Sequence, residues 1–297
     1  MVRQKVGAAT QYNIELNFCS MGVSPIKQLQ GKMGGTPMLR RYFILPPAEV
    51  FTCGRHGLYI GEFGSYSHYN YLRGGLVSRI KRGHFETALG LAQSRFGGDA
   101  IDVGCADGIL LPSLSKHFRR VAAVDVRQEF IRVAQDLVQT MRLGNVTPLC
   151  NCDMSFEQLR QKIEMPGDVA FVLETLEHIG TPGGADVYDE KMKFLDGVFS
   201  LLKADGIIVA SVPRTVGLGF ACQYGVQRLL RMKVEPMSIR EVIRSGLWKD
   251  TDQLERRWAS GHVGFNDEKF VRLVRAKFKL NREKTSLVNR FFVLERK

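Results

Sequence analysis

The sequence has no apolar run close to the roughly 20 residues that a membrane-spanning helix needs. Arg3 and Lys5 stand near the start, but no apolar signal core follows them, so the expected compartment is the cytoplasm. Cysteine is scarce. Six in 297 residues do not make a disulfide framework, which agrees with a reducing environment. Cys150-Asn151-Cys152 lacks the spacing of a zinc knuckle, and Cys53 with His56 is a lone pair, so no metal site is expected. Acidic residues are under-represented: 30 Asp and Glu face 42 Lys and Arg, a net charge of +12. That balance favours anionic partners such as RNA, acidic lipid headgroups or phosphorylated substrates. The basic residues are dispersed rather than gathered in one tract, so a generally basic surface accounts for them equally well. What is present is ordinary, with 44% hydrophobic and 24% charged residues, enough for one large or two modest domains.

The chain is organised around Ala100-Ile101-Asp102-Val103-Gly104-Cys105-Ala106-Asp107-Gly108-Ile109-Leu110. A β-branched apolar run meets an acid and a glycine turn, and a second apolar run follows at once. This is the pattern of a buried parallel strand, a tight ligand-binding turn and a helix N-terminus. A dinucleotide fingerprint wants glycine at the first, third and sixth positions. Counted from Gly104, the last two are Ala106 and Ile109. Asp102, read as ending the strand, would repel a pyrophosphate and attract a cation. S-adenosylmethionine has a sulfonium, an amino group and no phosphate. Ile101 to Gly108 resembles motif I of class I S-adenosylmethionine-dependent methyltransferases, with Ala106 in place of the usual middle glycine.

Residues 1–49 contain Gly34-Gly35, Pro37 and Pro46-Pro47 and read as an irregular extension. Within 50–83, Tyr59, Phe63, Tyr66, Tyr69 and Tyr71 lie among glycines, with Arg55, Arg73, Arg79, Lys81 and Arg82 nearby. Such a segment could stack bases, cover a small-molecule pocket, or pack on the domain through its tyrosines. Residues 1–83 are therefore set apart as an N-terminal extension. From His84 strands and helices alternate. Helical spacing appears over Phe85–Phe96, Ile109–Phe118, Phe130–Met141, Val187–Leu202 and Asp267–Phe278. Strands are read at 121–125, 146–150, 168–174 and 206–212, and Ser155 with Gln158 forms a capping box. Two strand-like runs, Lys284–Val288 and Arg290–Glu295, close the chain. The expectation is an α/β fold with a doubly wound, mostly parallel seven-stranded sheet. The final hairpin resembles the antiparallel edge of the methyltransferase fold. The catalytic domain then comprises 84–213 and 263–297, with 214–262 as a helical insertion over the substrate side.

Ligands in such sheets sit beyond the C-terminal strand ends, which makes the acids there candidates. The resemblance implies cofactor contacts from Asp102, Gly104, Cys105, Ala106, Gly108, Asp125, Val126, Asp153, Met154 and Glu174. Asp125 would hold the ribose hydroxyls, or else cap the next helix. Asp153 would bond the adenine amino group with Met154 packed on the ring, or cap a helix. Phe171 to Ile179 contains Glu174, Glu177 and His178 and resembles the strand-four segment of the quinone-biosynthesis O-methyltransferase branch. The Asn/Asp-Pro-Pro-aromatic and Pro-Cys signatures of nucleic-acid enzymes are missing from it. His178, with Glu177 beside it, is the first candidate for a general base, against a role in supporting the loop. His262 is the second, to touch the acceptor or to cap the next helix with Asn266.

The insertion has nine Lys and Arg against five Asp and Glu over Arg214–His262. Gln223, Gln227, Arg228 and Arg231 share one helical face, and Phe220, Val226, Leu229 and Leu230 lie away from it. A basic amphipathic helix can lie on an anionic membrane, but the expected arrangement is that its apolar face packs on its own domain. The function expected is methyl transfer from S-adenosylmethionine to a small-molecule acceptor, at a hydroxyl oxygen. The rivals are an RNA or protein methyltransferase and a non-catalytic binding protein. The acceptor and the oligomeric state are left open.

Overall fold

The computed structural model describes residues 42–52, 66–72, 74–181, 187–229, 236–256, 258, 261–286 and 288–297. Expectations for residues 1–41, Cys53, Arg55, His56, Tyr59, Phe63, Arg73, Leu230 and Arg231, and for the side chain of Tyr69, lie outside the described residues. Regular structure begins with the short helix α1 (Glu49–Thr52), a π-helical turn at His68–Leu72 and α2 (Gly75–Leu91). It alternates through β1 (Asp99–Val103), α3 (Leu111–His117), β2 (Arg120–Asp125), α4 (Gln128–Met141) and β3 (Val146–Cys150). It continues through α5 (Phe156–Ile163), β4 (Gly167–Leu173), α6 (Val187–Ser200) and β5 (Leu202–Pro213). The block after β5 carries α7 (Leu218–Leu229), α8 (Ile239–Ile243) and α9 (Asp252–Glu255). The helix α10 (Asp267–Lys277) then leads into β6 (Lys279–Thr285) and β7 (Asn289–Glu295).

The seven strands are ordered β3-β2-β1-β4-β5-β7-β6, parallel except for β7, which runs antiparallel to both its neighbours. The order reverses between β1 and β4, and this switch point opens a crevice beyond their C-terminal ends. Burial on both faces follows the two-residue period of a strand. Ala100, Val121, Ala123, Val169, Phe171, Val209 and Phe291 enter one core, under α2, α3 and α4. Ile101, Val103, Val124, Ala170, Val172, Ile208 and Phe292 enter the other, with side chains of α6 and α10.

The sequence reading turned the apolar side of α7 inward, and the structure reverses it. Leu218, Cys222, Val226 and Leu229 share one side of the helix, and that side is exposed, while Tyr224 is buried. Of the boundaries that differ from the sequence reading, which include the start of β5 at Leu202 and the end of α2 at Leu91, two have a clear physical reason. α2 starts at Gly75 rather than near His84, because its first half is basic and its apolar stripe is sparse there. β6 spans Lys279–Thr285 rather than 284–288. It is the outer strand, mostly exposed and rich in charge, so apolar alternation has nothing to mark it by; charge also protects such an edge from pairing with other chains.

Candidate active site

The motif I turn is bent by backbone geometry rather than by side chains. Gly104 and Gly108 have φ of +83° and +89°, and Ala106, in the middle, takes φ +47°. Ala106 thus adopts the conformation of the glycine it replaces, at a cost of about 1–2 kcal/mol for a left-handed L-residue. A Cβ on Gly104 would come within 2.3 Å of Thr175 Oγ1, so the turn after β1 and the loop after β4 are in close contact. The buried thiol of Cys105 is pushed well up by desolvation, which leaves it unreactive. Asp102 does not end β1, since Val103 follows it within the strand. Its carboxyl is buried and is pushed up to about 7, first by desolvation and then by repulsion from Asp125.

Asp125 closes β2 and binds the turn to the next helix. One carboxylate oxygen accepts from Ala106 N–H at 3.0 Å and the other from Arg127 N–H at 2.9 Å. Desolvation raises its pKa in spite of these bonds. Asp125 does not cap α4, whose N-cap residue is Arg127 and which has no side-chain cap bond, and its remaining lone pairs are available to a ligand. Val126 is 61% exposed just beyond it, next to the β3 loop, where Asn151 N–H donates to Asp125 O at 3.1 Å. Met154 is half-buried in that loop. Asp153 is exposed and accepts from Cys152 Sγ at 3.3 Å, while Ser155, not Asp153, caps α5 in the expected box with Gln158. A turn with glycine at both ends, an acid at the end of β2 and apolar Val126 and Met154 beside it fit a nucleoside with no phosphate.

Across the crevice, the end of β4 has a different character. Glu174 holds φ +51°. The 3₁₀ turn Leu176–His178 then places Glu177 fully inside the protein, with neither carboxylate oxygen hydrogen-bonded. His178 Nε2 and His262 Nδ1 lie 3.9 and 3.8 Å from Glu177 Oε1, and the two half-exposed rings meet edge-to-face with centroids 5.3 Å apart. Desolvation, helped by repulsion from Glu174, raises Glu177 well above the usual carboxylate range. The three side chains each offer one ligand atom, all within 4.8 Å of one another. Such a set can hold a divalent ion or relay a proton. The sequence reading expected no metal site and named these residues only as acid–base groups. His262 does not cap α10. Asn266 does so by itself, accepting from Glu268 N–H at 3.1 Å and Lys269 N–H at 3.0 Å.

Several residues of the site were not singled out from the sequence. Buried Lys191 of α6 donates to Glu177 O and Ile179 O, and its ammonium lies 4.6 Å from the Trp258 ring. Desolvation lowers its pKa to about 8. Asn289 of β7 donates to Glu174 Oε1 at 2.6 Å and is 2.8 Å from His84 Nδ1. With Nδ1 accepting, the His84 Nε2–H donates to Ser211 Oγ at 2.8 Å. Burial lowers the His84 pKa, consistent with this neutral form. Asp107, fully buried in motif I, accepts from the Ser67 N–H and hydroxyl and so ties the tyrosine segment to the cofactor turn. Tyr66 and Tyr71 pack with Phe85 and Phe130. Partners 40 to 205 positions apart carry no periodic signal. A cavity of about 240 Å³ lined by Asp99, Arg120 and Lys162 lies at the opposite, N-terminal strand ends and takes no part.

Residues 101–210 match the family model described as a methyltransferase domain. The ubiquinone biosynthesis O-methyltransferase of Xylella fastidiosa (strain 9a5c) is 26% identical over 140 residues, covering 46% of this chain and 50% of that protein. The enzyme of the same name from Caulobacter vibrioides is 28% identical over 144 residues, covering 48% and 52%. The chain thus spans about half the length of these relatives. The N-methyltransferase NodS from Bradyrhizobium japonicum WM9, crystallised with S-adenosyl-L-homocysteine, is 13% identical, covers 77% of this chain and 95% of that one, and superposes with a TM-score of 0.47. The match to a methyltransferase domain over residues 101–210 and the names of these relatives agree with the S-adenosylmethionine-dependent methyl transfer expected from motif I.

Proposed function

We propose that the chain transfers a methyl group to a small-molecule acceptor and that the attacking atom is a hydroxyl oxygen. The observation that carries this reading is the Glu177–His178–His262 cluster, gathered just past the C-terminal end of β4, a strand that borders the switch point. When bound, S-adenosylmethionine supplies a methyl carbon already activated by its sulfonium. The residues then have three tasks: to align the acceptor, to exclude water and to remove one proton. Alignment supplies the larger share of the barrier reduction, and a positioned base adds about 10²–10⁴-fold. His178 takes the proton from the acceptor oxygen as that oxygen bonds to the methyl carbon and the sulfur keeps the electron pair of the broken bond. Glu177 sets the pair of imidazoles, and Lys191 holds the backbone that carries His178.

The O-methyltransferases among the relatives support oxygen as the target. The packing of Tyr66 and Tyr71 against Phe130 and Phe85 also supports a small acceptor, since rings used in this way are not available to stack bases. The test has two parts. Calorimetric titration with S-adenosylmethionine should show binding that Asp125→Ala weakens by about 1.5–3 kcal/mol. With a panel of phenolic acceptors, His178→Ala should slow release of S-adenosylhomocysteine by about two to four powers of ten and leave cofactor affinity intact. A His178→Ala protein that loses affinity and stability together would reduce His178 to a loop support.

A further inference from the structure

Among the described cysteines, Cys150 and Cys152 stand together on the rim of the crevice. Cys150 ends β3 and pairs in register with Asp125, the last residue of β2. Cys152 follows two positions later, a spacing that puts both side chains on one side of an extended chain. Their sulfurs are in hydrogen-bond contact with each other. Each thiol also donates to a neighbour of the candidate cofactor site, Cys150 Sγ to Val126 O at 3.7 Å and Cys152 Sγ to Asp153 Oδ2 at 3.3 Å. Between them, Asn151 donates its N–H to Asp125 O at 3.1 Å and accepts from Met154 N–H at 3.2 Å. The dithiol therefore adjoins Asp125, Val126, Asp153 and Met154 at once.

We infer that Cys150 and Cys152 close into a reversible disulfide that loosens the adenosyl site; the effect on the cofactor rests on the reading of Asp125 and Asp153 given above. The oxidant is a small-molecule disulfide. Cys150, as its thiolate, attacks one sulfur of that disulfide and expels the first small thiol. Cys152 then loses its proton, attacks Cys150 Sγ and expels the second. One disulfide breaks and one forms, two protein thiols are oxidised and the small disulfide is reduced to two thiols. Hydrogen bonds to Cys150 and then to Asp153 push the Cys152 thiol up to about 11, so it keeps its proton and acts second. Closure removes both S–H donors, which releases Val126 O and the Asp153 carboxylate, and it draws the loop inward about Asn151. A partly exposed pair on so short a loop belongs to the easily reduced, regulatory kind, so the dithiol is the resting form in a reducing compartment. Cys105 is buried, and Cys222 is on α7, which follows β5, four strands from β3 in the sheet.

The full chain is equilibrated in reduced and in oxidised glutathione. Both cysteines fall on one tryptic peptide, Leu143–Arg160. In oxidised buffer that peptide should be two hydrogens lighter and closed to iodoacetamide, and return to reduced buffer should restore both thiols. Calorimetry should show S-adenosylmethionine binding the oxidised chain about tenfold more weakly, the equivalent of one hydrogen bond to a charged group. Cys150→Ser with Cys152→Ser should abolish the difference between the two buffers, and Cys222→Ser should leave it in place. A peptide that keeps two free thiols in oxidised buffer, or takes up glutathione without closing, would overturn the proposal. So would a closed peptide with equal cofactor affinity in both buffers. A reduced chain that binds no S-adenosylmethionine would overturn the cofactor reading and the coupling with it, while the bridge itself is read from the peptide alone.

Discussion

The two sides of the crevice are built in opposite ways. On the β1–β2 side, the turn Gly104–Gly108 is satisfied by its own backbone and by Asp125, with bonds of 2.8–3.0 Å to Val124 and Ala106. On the β4 side, Glu177 is buried without a hydrogen bond, Glu174 sits in a left-handed conformation, and two imidazoles crowd one carboxyl oxygen. Unsatisfied buried groups and strained backbone cost free energy and persist where surrounding structure holds them. The contrast agrees with the proposed division between a binding side and a reacting side. A rigid, saturated edge suits a cofactor that is always the same. An edge with an unsatisfied buried carboxyl beside two imidazoles suits an acceptor and a moving proton.

The most disruptive way to break the contrast is Gly104→Ala, which drives a Cβ into Thr175 and so wedges the two sides apart. It should cost about 2–5 kcal/mol, from left-handed strain plus overpacking, read as a fall in the urea midpoint. Thr175→Ala in the same chain should recover part of the loss, and no recovery would mean that the sides are not in contact there.

Next in size is Asp102→Asn. The folded carboxyl titrates near 7 and the unfolded one near 3.8, so the native state binds the extra proton between those values. The contribution of this carboxyl is thus full below about pH 4 and declines as pH rises toward 7, at up to about 1.4 kcal/mol per pH unit. Asp102→Asn should flatten that decline, and equal slopes for parent and variant in urea melts at pH 5 and pH 7 would contradict it. The smallest expected effect is Ala106→Gly. Relief of the left-handed strain, offset by the entropy of glycine, should stabilise the protein by no more than about 1 kcal/mol, or 2–4 °C in Tm.

The saturated side was also the more legible side in the sequence. Gly104, Gly108 and Asp125 announce themselves by local spacing. β3 and the Ser155–Gln158 capping box fell where patterning put them, because strand period and cap chemistry act over a few residues. The β4 side was legible only in part. His178 and Glu177 were found from their position after a strand, and His262 from its place before α10. What joins them, and what joins Glu174 to His84 and Asn289, is contact across 84 to 205 positions, which no local pattern encodes. The direction of the apolar side of α7 was misread for a related reason. An amphipathic pattern tells which residues share a side and not whether protein or something else covers it.

The Asn289 amide has a consequence for the order of assembly. It satisfies Glu174, 115 positions earlier, and contacts His84, 205 positions earlier. Contacts of such separation close large loops and are expensive to form before the intervening chain is ordered. The N–H groups of Gly104, Cys105 and Ala106 bond to Val124 and Asp125, about 20 positions on, and these bonds can form while β1 and β2 pair. Glu174 reaches its native partner only when β7 enters the sheet between β5 and β6. The chain should therefore form the motif I turn before the β4 side is complete, and amides around Glu174 should gain hydrogen-exchange protection later in refolding than those of Val103 to Gly108.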